Sequence, residues 1–241
     1  GTAAVTWNSM DDAYIREGYD IPLVPPPLWK PNEGSERMDI HRPRKYLLSF
    51  KGNIMLWEQR SWQHRWIASE YWFDEPDVHV DTKCKGYTNK AVEYKNNSSS
   101  DYGNLLLNST FFFCPGGGGV HSHRFAETML AGAIPVVTSD FLPPFHPEID
   151  WSGCIIRVSE ARVVDLPRIV RDIPMEEVKK RQRKCRAFAD TFFPFDLSGM
   201  SKAWFTFSME IWHLRVKNAL RMQADVEEAE KLWEDIGVGG I

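Results

Sequence analysis

At 241 residues the chain is long enough for one large domain or two small ones, and with 43% hydrophobic and 26% charged residues it has the composition of a soluble globular protein that needs no disulfide staples. Its net charge of -4 argues against a general nucleic-acid binder, because such domains are usually basic. Residues 1–40 contain Pro22, Pro25, Pro26, Pro27 and Pro31, which impose extended or turn geometry. This stretch reads as a lead-in or linker, with a short apolar strand at 21–24. Residues 45–51 (KYLLSFK) read as a buried strand ending at Gly52, 62–72 (WQHRWIASEYW) as a helix and 78–80 as a short strand. The polar stretch 89–102, with NNSSS at 96–100, reads as a surface loop. Residues 109–114 (STFFFC) have the aromatic and β-branched content of a central strand, which Pro115 and the glycines at 116–119 break. A helix over 122–131 follows, with Phe125, Met129 and Leu130 on its apolar face and Gly132 placed to end it in a left-handed cap. Residues 134–138 (IPVVT) form the next buried strand. Strand, glycine loop, helix and strand in this order make a βαβ unit, which implies a parallel sheet. A strand over 154–158 and helices over 161–173, 176–188 and 201–223 or beyond complete the chain.

Two helices carry patterns with two readings. The run Lys179, Lys180, Arg181, Arg183, Lys184 and Arg186 is either a solvated face or a contact for an acidic glycan or membrane surface. Phe205, Met209, Trp212, Val216 and Ala219 recur at helical spacing and read as a packing stripe. The ten tryptophans read as core filling, with some free to line a carbohydrate or base-stacking cleft. Cys84, Cys114, Cys154 and Cys185 show no CxxC pair or zinc spacing. Their even number is compatible with a secretory compartment, and whether a disulfide forms stays open. No apolar run is long enough to span a bilayer, and Gly1 stands where an initiator methionine would. The expectation is therefore a soluble protein or one whose N-terminal part has been removed.

The glycines at 116–119 are the sharpest chemical feature. Between a strand and a helix they let the backbone approach a ligand closely, and the helix that follows offers free N–H groups to a diphosphate. The pattern is neither GxGxxG nor a P-loop, so no nicotinamide cofactor is indicated. Arg124 and Glu127 share a helix face. Glu127 is suited to accept hydrogen bonds from a ribose diol. Arg124 is suited to a diphosphate or to steadying Glu127, unless the two form a plain intrahelical ion pair. His121 and His123 lie beside the loop, where either could touch phosphate or act in catalysis, but nothing assigns either as a base. On these residues alone an α/β nucleotide-binding domain of another kind remains open.

The segment 108–151 (NSTFFFCPGGGGVHSHRFAETMLAGAIPVVTSDFLPPFHPEIDW) resembles the exostosin-like glycosyltransferases of family 47. The resemblance rests on Ser109, Thr110, Phe111, Pro115, Gly117, Arg124, Glu127, Gly132, Ile134, Pro135, Val136, Asp140, Pro144, Phe145, Ile149, Asp150 and Trp151. Upstream, residues 44–52 (RKYLLSFKG) look like the family's Arg…Phe-x-Gly strand. The likeness is tight over 108–151 and loose over 15–220. It implies an α/β fold: a Rossmann-like parallel sheet flanked by helices, the C-terminal half of a GT-B glycosyltransferase. The implied organisation is a lead-in at 1–40, a nucleotide-sugar-binding domain at 41–195 and a helical segment at 196–241 that packs on it. The implied reaction moves a sugar, with inversion, from a nucleoside diphosphate sugar such as a UDP-sugar to a glycan or glycoprotein acceptor. It implies no metal and no required cofactor. Carried over, Glu127 holds the donor ribose and Arg124 supports it. Ser122 and the loop around Gly117 and Gly119 face the diphosphate, and Arg60 or Arg65 is the upstream cation. A Golgi location is implied for the full-length protein, with a membrane anchor only upstream of this chain. Sequons at Asn96, Asn97 and Asn108 are compatible with that location. Gly116, Gly118 and Ala133 depart from the family's usual basic residue, acidic residue and cysteine. These departures leave open a protein that binds a nucleotide sugar or glycan without turning it over.

Overall fold

The computed structural model describes residues 5–6, 20–22, 26–29, 31, 40, 42–55, 62–72, 74–85, 91–92, 101–116, 122–193 and 197–235. The strands are β1 (Val5–Thr6), β2 (Ile21–Pro22), β3 (Tyr46–Met55), β4 (Val78–Lys85), β5 (Ala91–Val92), β6 (Ser109–Phe113), β7 (Ile134–Thr138) and β8 (Ile156–Val158). The helices are α1 (Trp62–Tyr71), α2 (Tyr102–Leu107), α3 (Arg124–Leu130), α4 (Leu166–Arg171), α5 (Met175–Phe192) and α6 (Leu197–Asp235). A 3-10 turn at Glu160–Asp165 leads into α4. β1 and β2 pair with each other. The main sheet has the order β5-β4-β3-β6-β7-β8 and is parallel except for β5.

The βαβ unit is β6, α3 and β7, with Phe111 opposite Ile134 and Phe113 opposite Val136. Phe111, Phe112 and Phe113 are fully buried, as a strand covered on both faces requires. Phe113 meets Phe50 and Trp72 edge to face. α3 ends as its sequence predicts. Gly132 has φ 72°, its N–H donates to Met129 and the Ala133 N–H donates to Thr128. That 5→2 and 6→1 pair is the Schellman arrangement.

Several elements differ from expectation. β3 runs through Gly52 to Met55 because its ladder with β4 continues to the Met55–Lys85 pair, and β4 is correspondingly longer than 78–80. α2 lies where no element was expected, with its first turn capped by the Asp101 side chain accepting from Gly103 N at 3.1 Å. The stripe Phe205, Met209, Trp212, Val216 and Ala219 is exposed and does not pack. The buried positions are Trp204, Ser208 and Ile211, one residue earlier. Both faces of this helix carry large apolar side chains, so periodicity does not choose between them. The choice is made by Trp204, whose Nε1 donates to Phe192 O at 2.6 Å, and by Arg215, which pairs with Glu148 at 2.5 Å.

Cys154 and Cys185 form a disulfide, with Cα atoms 4.8 Å apart, that ties the turn before β8 to α5. Cys114 is a buried free thiol. In the basic run, Lys179, Lys180, Arg181 and Arg186 pair with carboxylates three or four residues away on α5. Arg181 also donates to Ser152 O and Ile155 O. This is the solvated-face reading with one structural anchor. Trp72, Trp151 and Trp204 are core residues. Among the described residues, no helix is long and apolar enough to cross a membrane. The sequons at Asn96 and Asn97 lie outside the described residues.

Candidate functional site

In this strand order the chain leaves β3 toward β4 on one side, and β6 lies on the other side of β3. Connections therefore diverge above the carboxyl ends of β3 and β6, which opens a crevice of the kind where open α/β sheets take ligands. A cavity of about 440 Å³ lies at this point. Lys51, Gly52 and Asn53 of β3, Asp81 and Lys83 of β4, Tyr102 of α2, and His123, Arg124 and Glu127 line it, with Leu28 and Trp29 of the lead-in.

Glu127 is 3% exposed, in the first turn of α3. Its Oε1 accepts from Leu28 N at 2.9 Å and Trp29 N at 3.0 Å, and its Oε2 accepts a short hydrogen bond from the Tyr102 hydroxyl. Burial, and after it the Glu127 charge, raise the Tyr102 pKa well above the ordinary phenol value, so the hydroxyl keeps its proton and donates.

Arg124 turns to the strand rather than to Glu127. Its Nε donates to Lys51 O at 2.9 Å, its Nη1 to Ser122 Oγ at 3.1 Å, and its guanidinium lies 5.8 Å from the Phe50 ring centre. Gly52 makes this possible, since a Cβ there would stand 2.6 Å from Arg124 Nη2. Ser122 is buried and serves this arginine. Lys51 pairs with Asp81 at 2.5 Å across the β3–β4 register.

Arg65 is 2% exposed, on α1. Its guanidinium donates to Asn53 O at 2.6 Å and, by a short bond, to Gly116 O. It thus joins the end of β3 to the loop after β6 at the rim of the crevice. His123 Nδ1 lies 2.5 Å from Pro26 O. A carbonyl only accepts, so Nδ1 carries the proton. Arg60, Gly117, Gly119 and His121 lie outside the described residues.

The structure therefore brings Arg124 and Glu127 to one crevice, with Ser122 bonded to Arg124 and Arg65 outside the lining, and adds Lys51, Asp81, Lys83, Tyr102, Leu28 and Trp29, which were not expected as site residues. Only Lys51 had a signal, as part of the Arg…Phe-x-Gly strand. The Cys114 thiol, at the end of β6, is pushed up to about 12 by burial and is no nucleophile at neutral pH. Among the described residues no cluster of three or more His, Cys, Asp or Glu side chains is arranged to hold a metal ion. The chemistry on offer is cationic side chains beside a buried carboxylate at the end of a parallel sheet.

The model of the Exostosin GT47 domain matches residues 3–173. Exostosin-1 homolog of Caenorhabditis elegans is 31% identical over 169 residues, which cover 66% of this chain and 44% of that protein. Exostosin-1 of Drosophila melanogaster is 30% identical over 214 residues, 80% of this chain and 27% of that protein. The chain thus spans less than half the length of these relatives. A glycosyltransferase of Rickettsia africae has a similar structure with a TM-score of 0.48 at 11% identity, over 90% of this chain and 64% of that one; a likeness this slight carries no assignment. With the matched family model spanning both strands that form the crevice and the helix that carries Glu127, the chain belongs to the Exostosin GT47 family of glycosyltransferases.

Proposed function

We propose that this chain is the donor-binding part of a glycosyltransferase of GT-B architecture. It takes a nucleoside diphosphate sugar, with UDP as the nucleotide, and passes the sugar with inversion to a glycan or glycoprotein acceptor. No general base is assigned. The observation that carries the reading is the buried Glu127 carboxylate facing the same cavity as Lys51, Lys83 and Arg124 at the strand-order switch. A carboxylate suits ribose hydroxyls, and the cations suit the diphosphate and the charge that grows on it as the sugar leaves. The cations themselves can neutralise that charge, so the reading requires no cofactor. A Golgi lumen is supported by the Cys154–Cys185 disulfide, since such bonds persist in oxidising compartments.

Calorimetric titration with uridine and guanosine diphosphates tests the proposal. UDP binding is expected, and Glu127→Gln should weaken it roughly tenfold or more, as expected for loss of hydrogen bonds to a charged acceptor. Glutamine keeps the shape, whereas alanine would leave the donors of Leu28, Trp29 and Tyr102 without an acceptor. Absence of binding to either nucleotide counts against the donor role, and unchanged affinity in the variant removes Glu127 from the ribose.

A second reading, binding without turnover, is favoured by Gly116. This position supplies no cation, and its carbonyl is held by Arg65. Nucleotide binding without sugar transfer in the full-length protein would decide for it.

A further inference from the structure

Most of the hydrogen-bonding capacity of Glu127 is taken up by the chain itself. An ionised carboxylate offers about four lone-pair positions. Three are occupied: two by the amides of Leu28 and Trp29 on one oxygen and one by Tyr102 on the other. The two amides reach Oε1 side by side at 2.9 and 3.0 Å. Neighbouring donors converging on one carboxylate is also how a vicinal diol would bind. While they are in place, the carboxylate has room for one further donor and not for two.

The segment that supplies these amides is held at separate points. Pro26 O accepts from His123 Nδ1. The Trp29 indole covers Gly103 so closely that a Cβ there would lie 2.3 Å from Nε1. On its N-terminal side the lead-in is fixed by Pro22 O accepting from Phe145 N at 2.9 Å and Asp20 O accepting from Arg215 Nη1 at 3.1 Å. Leu28 itself is 79% exposed, so its contribution is its backbone rather than its side chain. Residues 26–29 therefore form a strap across one wall of the cavity, anchored at 20–22.

We infer that this strap competes with the nucleoside for Glu127. Its two amides occupy the carboxylate, and a donor whose ribose engages Glu127 through both hydroxyls must first displace at least one of them. Tyr102 stays in place and keeps the carboxylate aimed at the cavity. The Leu28 and Trp29 amides thus set the nucleotide's apparent affinity, because binding is weakened by the fraction of molecules with the strap down. This inference rests on the nucleotide role of Glu127 proposed above.

The test is Leu28→Pro. This removes one amide donor in a stretch that already holds three successive prolines, Pro25 to Pro27, and changes an exposed side chain. Calorimetric titration of wild type and variant with uridine and guanosine diphosphates should show roughly tenfold tighter binding to the variant, the equivalent of one hydrogen bond to a charged group. Unchanged or weaker binding to Leu28→Pro would overturn the strap, since the amides would then be scaffold for Glu127. No binding by either form would instead remove the nucleotide reading on which the strap depends. Amide hydrogen exchange in the wild type gives a second readout that does not depend on the variant folding. Leu28 and Trp29 should be protected in the free protein and exchange faster at saturating uridine diphosphate. Greater protection on binding would contradict displacement.

Discussion

Tyr102 is the residue on which the site's geometry turns most directly. Its hydroxyl is the donor to Glu127 that comes from regular secondary structure, and its own burial keeps it protonated. Tyr102→Phe keeps the ring against Phe112 and removes the bond to the carboxylate. The expected result is a loss of about 1.5 kcal/mol or more in nucleotide affinity, read by calorimetry, with the melting temperature lowered by only a few degrees. A large fall in melting temperature with no change in affinity would make Tyr102 structural only. Glu127 and Arg124 were legible in the sequence because a charged pair three apart after a glycine loop is a local pattern. Tyr102 was not, since it lies 25 positions from Glu127 and its hydroxyl reaches the carboxylate only once α2 packs against β3 and β6. The same limit applied to Arg124. Its partner is the Lys51 carbonyl, 73 positions away, which no spacing rule reaches.

At the level of elements, the disulfide offers a clean test. Cys154 and Cys185 are fully buried and 31 positions apart. The double change Cys154→Ser and Cys185→Ser should cost about 3 kcal/mol in urea unfolding, because the unfolded chain regains the freedom of that loop. The same cysteines should resist alkylation in the unfolded, unreduced protein. Ready alkylation would remove both the bond and the support it gives to an oxidising compartment. The sequence alone leaves this pairing open because the two cysteines have no characteristic spacing, and only the packing of α5 on the sheet brings them together. Strands were more legible than helix faces. STFFFC and IPVVT are apolar runs that suit only a buried strand. In α6 apolar residues occupy two adjacent faces, and tertiary contacts at Trp204 and Arg215 select one. α2 escaped notice because its six residues are too few for a period to show.

For the molecule as a whole, two buried histidines link stability to pH. His64 stands on α1 and His79 in β4, and burial lowers the pKa of each. Asp140 and Glu160 oppose this at His64, and Asp81 opposes it at His79. The unfolded chain therefore takes up protons near pH 6.5 that the folded chain refuses. Stability from these groups is fully present above that pH and is lost as the pH falls through it toward the lowered folded values. Urea midpoints should drop between pH 7.5 and 5.5, and His64→Gln should flatten part of that drop. A midpoint that rises over the same interval would contradict the sign. The parallel sheet was legible from one βαβ unit. Its full strand order was not, because the side of β3 on which β4 lies depends on long-range pairing.

Arg44 adds a consequence for that same whole. Its guanidinium donates to Leu107 O at the end of α2 and Ser109 O at the start of β6, and to Ala131 O and Gly132 O just after α3. These two helices carry Tyr102, the first residue of α2, and Glu127, the middle residue of α3. The pair of short helices is therefore clamped like the two arms of a pair of tweezers. Arg44 is the rivet at the base, and the tyrosine–carboxylate bond is where the tips close. Only a planar fork that grips several carbonyls at once makes such a rivet, which a lysine ammonium cannot replace in kind. The rivet thus stands about 6 Å along the helix from the carboxylate, four residues at ~1.5 Å each. Arg44 lines no part of the cavity, yet it holds together the two helices that carry the tyrosine and the carboxylate.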